Sequence, residues 1–176
     1  ISLVCPETPF YAESGGQSGD RGMIIGPQGK ARVENTVAVG DGLVLHQAEV
    51  IEGSLALGET VELKVAEGKR QRTANNHTAT HLLHAQLHKV LGEHARQSGS
   101  LVAPDRLRFD FTHPDAITQE QLDAIESGVN HEILASHPLA IKEKSANNAH
   151  GAYNGSYAIM RAEIKGASNE QHCTNC

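Results

Sequence analysis

Two histidines, His77 and His81, stand four positions apart in Asn76-His77-Thr78-Ala79-Thr80-His81, at the start of an apolar helical segment. Residues i and i+4 of a helix share one face, so the two imidazoles come within reach of a single cation. Neutral imidazole is a favoured zinc ligand and zinc usually takes four partners, so a helical pair requires further ligands elsewhere. The dense supply of such groups is the carboxyl end, His172-Cys173-Thr174-Asn175-Cys176. The plain alternative is surface placement on a helix, and His84 and His88 repeat the same spacing further along.

Composition limits what such a site belongs to. At 176 residues, with 3% aromatic content and no tryptophan, the chain is sized for one domain or two small ones. A formal net charge of −6 leaves no global electrostatic footprint for nucleic acid, so an RNA partner has to be held locally or by another part of a larger molecule. Three cysteines, two of them crowded at the end, make no disulfide framework and suit a reducing compartment, so the cytoplasm is expected. No apolar run reaches spanning length and no charged-then-apolar leader opens the chain, which argues against membrane insertion and secretion. Ile1 at the first position and a terminus inside the candidate ligand cluster suggest a piece of something longer.

The elements that must position these residues fall into two groups. Up to about residue 68 the pattern is β: Val33 to Val39, Leu43 to Val50 and Thr60 to Val65 are β-prone runs separated by turn residues, with Gly40-Asp41-Gly42 marking a hairpin. From Lys69 the character changes. Ala79, Leu83, Leu87 and Val90 recur at helical spacing up to Gly92, which places the histidine pair in the first turn or two of a helix. Leu107, Phe109 and Phe111 alternate with charged residues as a half-buried strand does. Thr118 and Gln121 form a capping box before a second helix, with Leu122, Ile125, Val129 and Ile133 on one stripe and His137-Pro138 as its stop. Leu139 to Glu143 and Ala158 to Ile164 read as closing strands, giving helices layered on a sheet.

Three ordered blocks carry a resemblance. Thr8-Pro9-Phe10-Tyr11-Ala12-Glu13-Ser14-Gly15-Gly16-Gln17 with Gly19-Asp20-Arg21-Gly22 looks like the opening of the editing domain of alanyl-tRNA synthetase and of its free-standing relatives, the AlaX trans-editing proteins. Asn76 to His84 resembles that family's core, as do Gln97-Ser98-Gly99-Ser100-Leu101-Val102 and Leu107-Arg108-Phe109-Asp110-Phe111. The likeness runs from Thr8 to about Pro138. The segment from Leu139 to Gln171 lacks the family's usual wording, and the tail departs from it. The family carries a Cys-x-x-x-His element near the end, whereas this chain has Cys173-Thr174-Asn175-Cys176 and stops. Cys173 matches the family cysteine, and the fourth ligand is Cys176, His172 or a histidine one residue beyond the chain.

The resemblance implies an α+β fold: a small N-terminal β-barrel-like subdomain, residues 1–68, followed by a zinc-binding editing core, residues 69–176, built as helix on antiparallel sheet and shared with the threonyl-tRNA synthetase editing domain. It implies hydrolysis of seryl-tRNA(Ala) and glycyl-tRNA(Ala), because a hydroxyl more or a methyl less is too small a difference for one pocket to reject strongly. The implied partners are the acceptor end of tRNA(Ala) and, if the domain is fused, the ATP-dependent aminoacylation domain of a parent ligase; no membrane is involved. Zinc is the implied cofactor, with His77, His81, Cys173 and Cys176 as its ligands. Thr78 and Gln97 are the catalytic candidates, and Thr80, Gly15, Gly16 and Gln17 the substrate-binding ones. For Thr78 helix capping is the competing explanation, for Gln97 a solvated loop, and for the glycines tight turning. Lys69, Arg70 and Arg72 form a compact basic patch that would suit phosphates or simply a solvated face. Two other readings stand beside this one: a non-catalytic, zinc-stabilised tRNA-binding module, and a threonyl-tRNA synthetase-type editing domain, which the Phe10-Tyr11 to Gln17 block disfavours.

Overall fold

A computed structural model describes residues 1–40, 42–137, 139–144 and 159–164. In chain order its elements are β1 (Ser2–Val4), β2 (Gly22–Ile25), β3 (Gly29–Val39), β4 (Leu43–Gly53), β5 (Glu62–Val65), α1 (Glu67–Leu91), β6 (Gln97–Val102), β7 (Leu107–Phe111), α2 (Gln119–Ala135), β8 (Leu139–Lys144) and β9 (Ile159–Ile164).

The expected hairpin is present. Strands β3 and β4 pair antiparallel from Val39↔Leu43 outward, and Gly40 and Gly42 on either side of the turn's centre take positive φ values of 55° and 83°. These strands are the middle of a five-stranded antiparallel sheet ordered β1-β4-β3-β2-β5. The sheet is open, which corrects the barrel-like expectation. Closure would require β1 to pair with β5, but these hold to β4 and β2 at opposite edges and are only three and four residues long.

One face of this sheet holds the core. Ala31 and Val33 on β3, Ile24 on β2 and Ala48 on β4 are buried with Phe10, which comes from the loop after β1. Burial on β3 follows the strand period through Gly29, Ala31 and Val33, and then jumps to Thr36. The jump coincides with a register shift between Val33 and Asn35, where an extra residue breaks the ladder. That irregularity prepares a seat for the long loop between β1 and β2. The Glu13 amide donates to the Thr36 carbonyl at 2.8 Å, and the Thr36 hydroxyl donates to the Asp20 carbonyl at 2.9 Å. Gly19 lies so close above Thr36 that a Cβ there would sit 2.1 Å from its carbonyl oxygen, so no other residue fits.

Buried His46 completes the packing under this loop. Its Nδ1 donates to the Leu3 carbonyl at 3.1 Å and its Nε2 accepts from the Thr8 hydroxyl at 2.8 Å, while Phe10 meets the ring edge-on at 5.2 Å. Both nitrogens of the buried ring thereby have hydrogen-bond partners.

Packing gathers the chain into two compact units: Ile1–His81 with Ala95–His113, and Leu82–His94 with the described residues from Pro114 onward. In the first unit β6 and β7 form a two-stranded antiparallel ladder with a bulge between Gln97 and Gly99. In the second, Gly128 of α2 approaches α1 so closely that a Cβ would fall 2.4 Å from the Gln86 side-chain oxygen. Helix α2 opens with the expected capping box, Thr118 accepting from the Gln121 amide and Gln121 accepting in return from the Thr118 amide. It closes at Ser136 in the left-handed region, φ 48°. Of its anticipated stripe Ile125 is buried, whereas Leu122 and Ile133 are exposed. Strands β8 and β9 pair antiparallel where two closing strands were expected. No helix among the described residues is long and apolar enough to cross a membrane.

Candidate functional site

The histidine pair sits deeper in its helix than its sequence context indicates. Helix α1 begins at Glu67, so His77 is near the end of the third turn and not at the first. N-terminal capping is therefore no explanation for Thr78, whose exposed hydroxyl donates to the carbonyl of Ala74 at 3.2 Å. Thr73 and Thr80, seven positions apart on the helix, are buried. Orientation within the first unit is fixed by Asn76, whose amide nitrogen donates to the Ala103 carbonyl at 2.7 Å in the turn between β6 and β7.

On the helix so held, the rings of His77 and His81 stack with centroids 5.0 Å apart and planes inclined by 25°. Both are half-buried. Thr80 between them is 6% exposed, and its hydroxyl donates to the Asn76 carbonyl at 2.8 Å, which leaves its oxygen free to accept.

The second part of the site comes from the loop after β1. Ser14 and Gln17 close a two-residue turn with reciprocal backbone bonds, Gln17 N to Ser14 O at 2.9 Å and Ser14 N to Gln17 O at 3.2 Å. Its central residues Gly15 and Gly16 have φ of 58° and 83°, the primed-turn geometry that glycine adopts without strain. Gly16 also packs on β6: a Cβ there would lie 2.6 Å from Ser100 atoms. Backbone bonds from Val102 N to Gly16 O at 2.8 Å and from Ser18 N to Val102 O at 2.9 Å join the turn to the end of β6. From this support the Gln17 side-chain oxygen accepts from His77 Nδ1 at 2.8 Å.

The far end of the loop is anchored by residues without a local sequence signal. Asp20, whose side chain is 9% exposed, accepts from the Tyr11 amide at 2.8 Å and from Arg70 Nε at 3.0 Å, with a second Arg70 nitrogen on the same oxygen. Arg70 also donates to the Pro9 carbonyl. The bond to Asp20 holds the Arg70 guanidinium above its ordinary pKa. Arg70 is therefore committed to the loop, and Lys69 and Arg72 are what remain exposed of the anticipated basic patch.

Gln97 is exposed at the start of β6, opposite Phe111, and so belongs to a strand and not to a loop. His84 and His88 meet edge-on at 4.3 Å within the second unit. A concavity of about 370 Å³ lined by Val4, Cys5, Pro6, Thr8, Leu43 and Val44 contains none of the candidate residues. Burial there pushes the Cys5 thiol up. His172, Cys173 and Cys176 lie outside the described residues. Among the described residues no group of three or more histidine, cysteine or acidic side chains could hold a metal. His77 and His81 fit zinc as half of a ligand set: two stacked imidazoles, one with its Nδ1 engaged by a neighbouring oxygen, as metal-bound histidines usually are.

Comparison with known proteins adds a relationship. Residues 1–69 match a family model described as tRNA synthetases class II (A). The whole chain aligns at 44% identity over 188 positions with an alanine–tRNA ligase of Thermus thermophilus, and covers 21% of it. This chain is similar from end to end to one segment of alanine–tRNA ligase. Alanine–tRNA ligases of Nitratidesulfovibrio vulgaris (55% over 137 residues, 78% of this chain and 16% of the relative) and Roseiflexus castenholzii (52% over 143 residues, 81% and 16%) agree. The chain thus spans about a fifth or less of the length of these alanine–tRNA ligases. The family model ends before α1 reaches His77, so the likeness to alanine–tRNA ligase at the histidine pair rests on the full-length alignment.

Proposed function

We propose that this chain is the editing part of an alanine–tRNA ligase, or a free-standing editor of the same kind, and hydrolyses seryl-tRNA(Ala) and glycyl-tRNA(Ala). The observation that carries this reading is the assembly of His77, His81 and the Gly15-Gly16-Gln17 turn in one unit, within a chain similar throughout to a segment of alanine–tRNA ligase. The reaction adds water across the ester joining the amino acid to the terminal ribose. The carbonyl carbon gains a hydroxyl, the carbon–oxygen bond to the ribose breaks, and free amino acid and uncharged tRNA result. An ester needs less activation than an amide, so a site that orients the substrate and polarises its carbonyl suffices.

In this reading residues 1–68 form the β subdomain and residues 69–176 the zinc-binding editing core. His77 and His81 would hold zinc together with Cys173 and Cys176. Bound there, zinc would supply positive charge to orient the aminoacyl end or polarise a water, and four protein ligands favour orientation. Gly15 and Gly16 let backbone approach the aminoacyl end, and Gln17 keeps an amide nitrogen with which to donate to it. Thr80 donates to its own helix and so can accept from the hydroxyl of a misattached serine, a bond that alanine cannot make. Thr78, exposed one position beyond His77, and Gln97 are assigned to handling the attacking water. The partners are the acceptor end of tRNA(Ala) and, in a fused protein, the aminoacylation domain.

The test is hydrolysis of seryl-tRNA(Ala) by the chain and by its His77→Ala and His81→Ala variants. Loss of hydrolysis with the fold retained is expected. Hydrolysis at the unmodified rate by both variants overturns the reading, and unfolding on metal removal in a chain that never hydrolyses the ester points to a structural, tRNA-binding module instead.

A further inference from the structure

We infer that Gln17 is a positioning residue, which holds the His77 imidazole in the Nδ1–H tautomer and so leaves Nε2 as the nitrogen that presents a lone pair. This deepens the proposed function, since its consequence for zinc rests on that reading, but the tautomer itself can be measured without metal. An amide oxygen can only accept, so the 2.8 Å contact between Gln17 Oε1 and His77 Nδ1 places the proton on Nδ1. A neutral imidazole carries one proton, and its other nitrogen is then an acceptor or a metal ligand.

The partner of that proton is unusually well supported for a loop residue. Gln17 closes a turn through two backbone bonds to Ser14, and its neighbours Gly16 and Ser18 are each bonded to Val102 of β6. Two residues on, Gly19 is pressed on Thr36, and Asp20 is tied to Arg70 of α1, the helix that carries His77. The loop is therefore fixed to β3, β6 and α1 at successive positions, and the Gln17 amide is delivered to His77 already oriented. Preorganisation of this kind reduces the ordering cost when a ligand binds. It also gives Gln17 a task beside substrate contact: its oxygen is engaged with His77, and its amide nitrogen is what remains to donate to an aminoacyl end.

The test uses the metal-free chain first. Long-range proton–nitrogen NMR of ring-labelled histidine, with His77 assigned from the His77→Asn spectrum, reads the tautomer at a pH where the ring is neutral. The unmodified chain is expected to show the Nδ1–H form, Gln17→Leu a mixture, and Gln17→Glu, which retains an acceptor, the original form. Zinc affinity by chelator competition is then expected to fall about 10- to 100-fold in Gln17→Leu and to be retained in Gln17→Glu. A dominant Nε2–H tautomer in the unmodified chain, or an unchanged tautomer in Gln17→Leu, overturns the inference. If the tautomer depends on Gln17 but no variant binds zinc, the positioning role stands and the zinc-dependent reading fails. Tight zinc binding with a tautomer indifferent to Gln17 sinks the positioning role and leaves the zinc-dependent reading standing.

Discussion

Asp20 and Arg70, fifty positions apart, meet through two guanidinium nitrogens on one carboxylate oxygen, and the same oxygen accepts the Tyr11 amide. The contact ties the loop bearing Gln17 to the helix bearing His77. Removing the carboxylate in Asp20→Ala strands a half-buried guanidinium and an amide together, so unfolding free energy is expected to fall by about 2 kcal/mol, with Asp20→Asn losing less because its oxygen still accepts. Denaturant titration measures both. The raised Arg70 guanidinium adds no pH dependence near neutrality: a cation favoured by folding contributes fully below its ordinary pKa, and the gain is lost only as pH climbs through the higher folded value.

The two turn glycines should respond differently. Gly15→Ala meets nothing within 4 Å and bears only the cost of a non-glycine residue at φ 58°, about 1 kcal/mol. Gly16→Ala must also displace Ser100, whose backbone oxygen would lie 2.6 Å from the new Cβ. Its stability should fall further, and the Gln17 contact with His77 should loosen. Comparing thermal midpoints and zinc affinity of the two variants checks this ordering.

At α2, Thr118→Ala removes one half of a reciprocal cap and should cost about 1 kcal/mol. Thr118→Asn should recover most of it, since asparagine is an equally good cap. A denaturation series over the three proteins decides the matter.

Features determined by neighbours in sequence are legible without the structure. The Gly40 to Gly42 hairpin, the Thr118 and Gln121 cap and the alternating strand Leu107–Phe111 each depend on a few adjacent residues. The first ten residues of α1 are hidden because Glu67 to Asn76 holds almost no apolar side chain; that stretch is held by Thr73 burial, the Arg70 clamp and the Asn76 bond to Ala103. Barrel closure is not legible because it depends on edges β1 and β5, which are remote in sequence. The histidine pair is visible as spacing, but the engagement of Gln17 with His77 spans sixty positions and has no local signature.

Thiol labelling separates the cysteines. Burial raises the Cys5 pKa, so at mildly alkaline pH Cys5 should alkylate slowly whether or not metal is present. On the proposed zinc site, Cys173 and Cys176 should be protected until a chelator is added and should then react faster than Cys5. Peptide mapping by mass spectrometry reads all three. Equal labelling of Cys173 and Cys176 with and without chelator in a zinc-loaded sample would remove them from the ligand set.

The most direct test compares the rates at which the zinc-loaded chain releases serine from seryl-tRNA(Ala) and alanine from alanyl-tRNA(Ala). The account predicts rapid loss of the serine ester, sparing of the alanine ester, and collapse of the difference in His77→Ala. Equal rates on both esters, or a serine rate no faster than spontaneous hydrolysis, would contradict it.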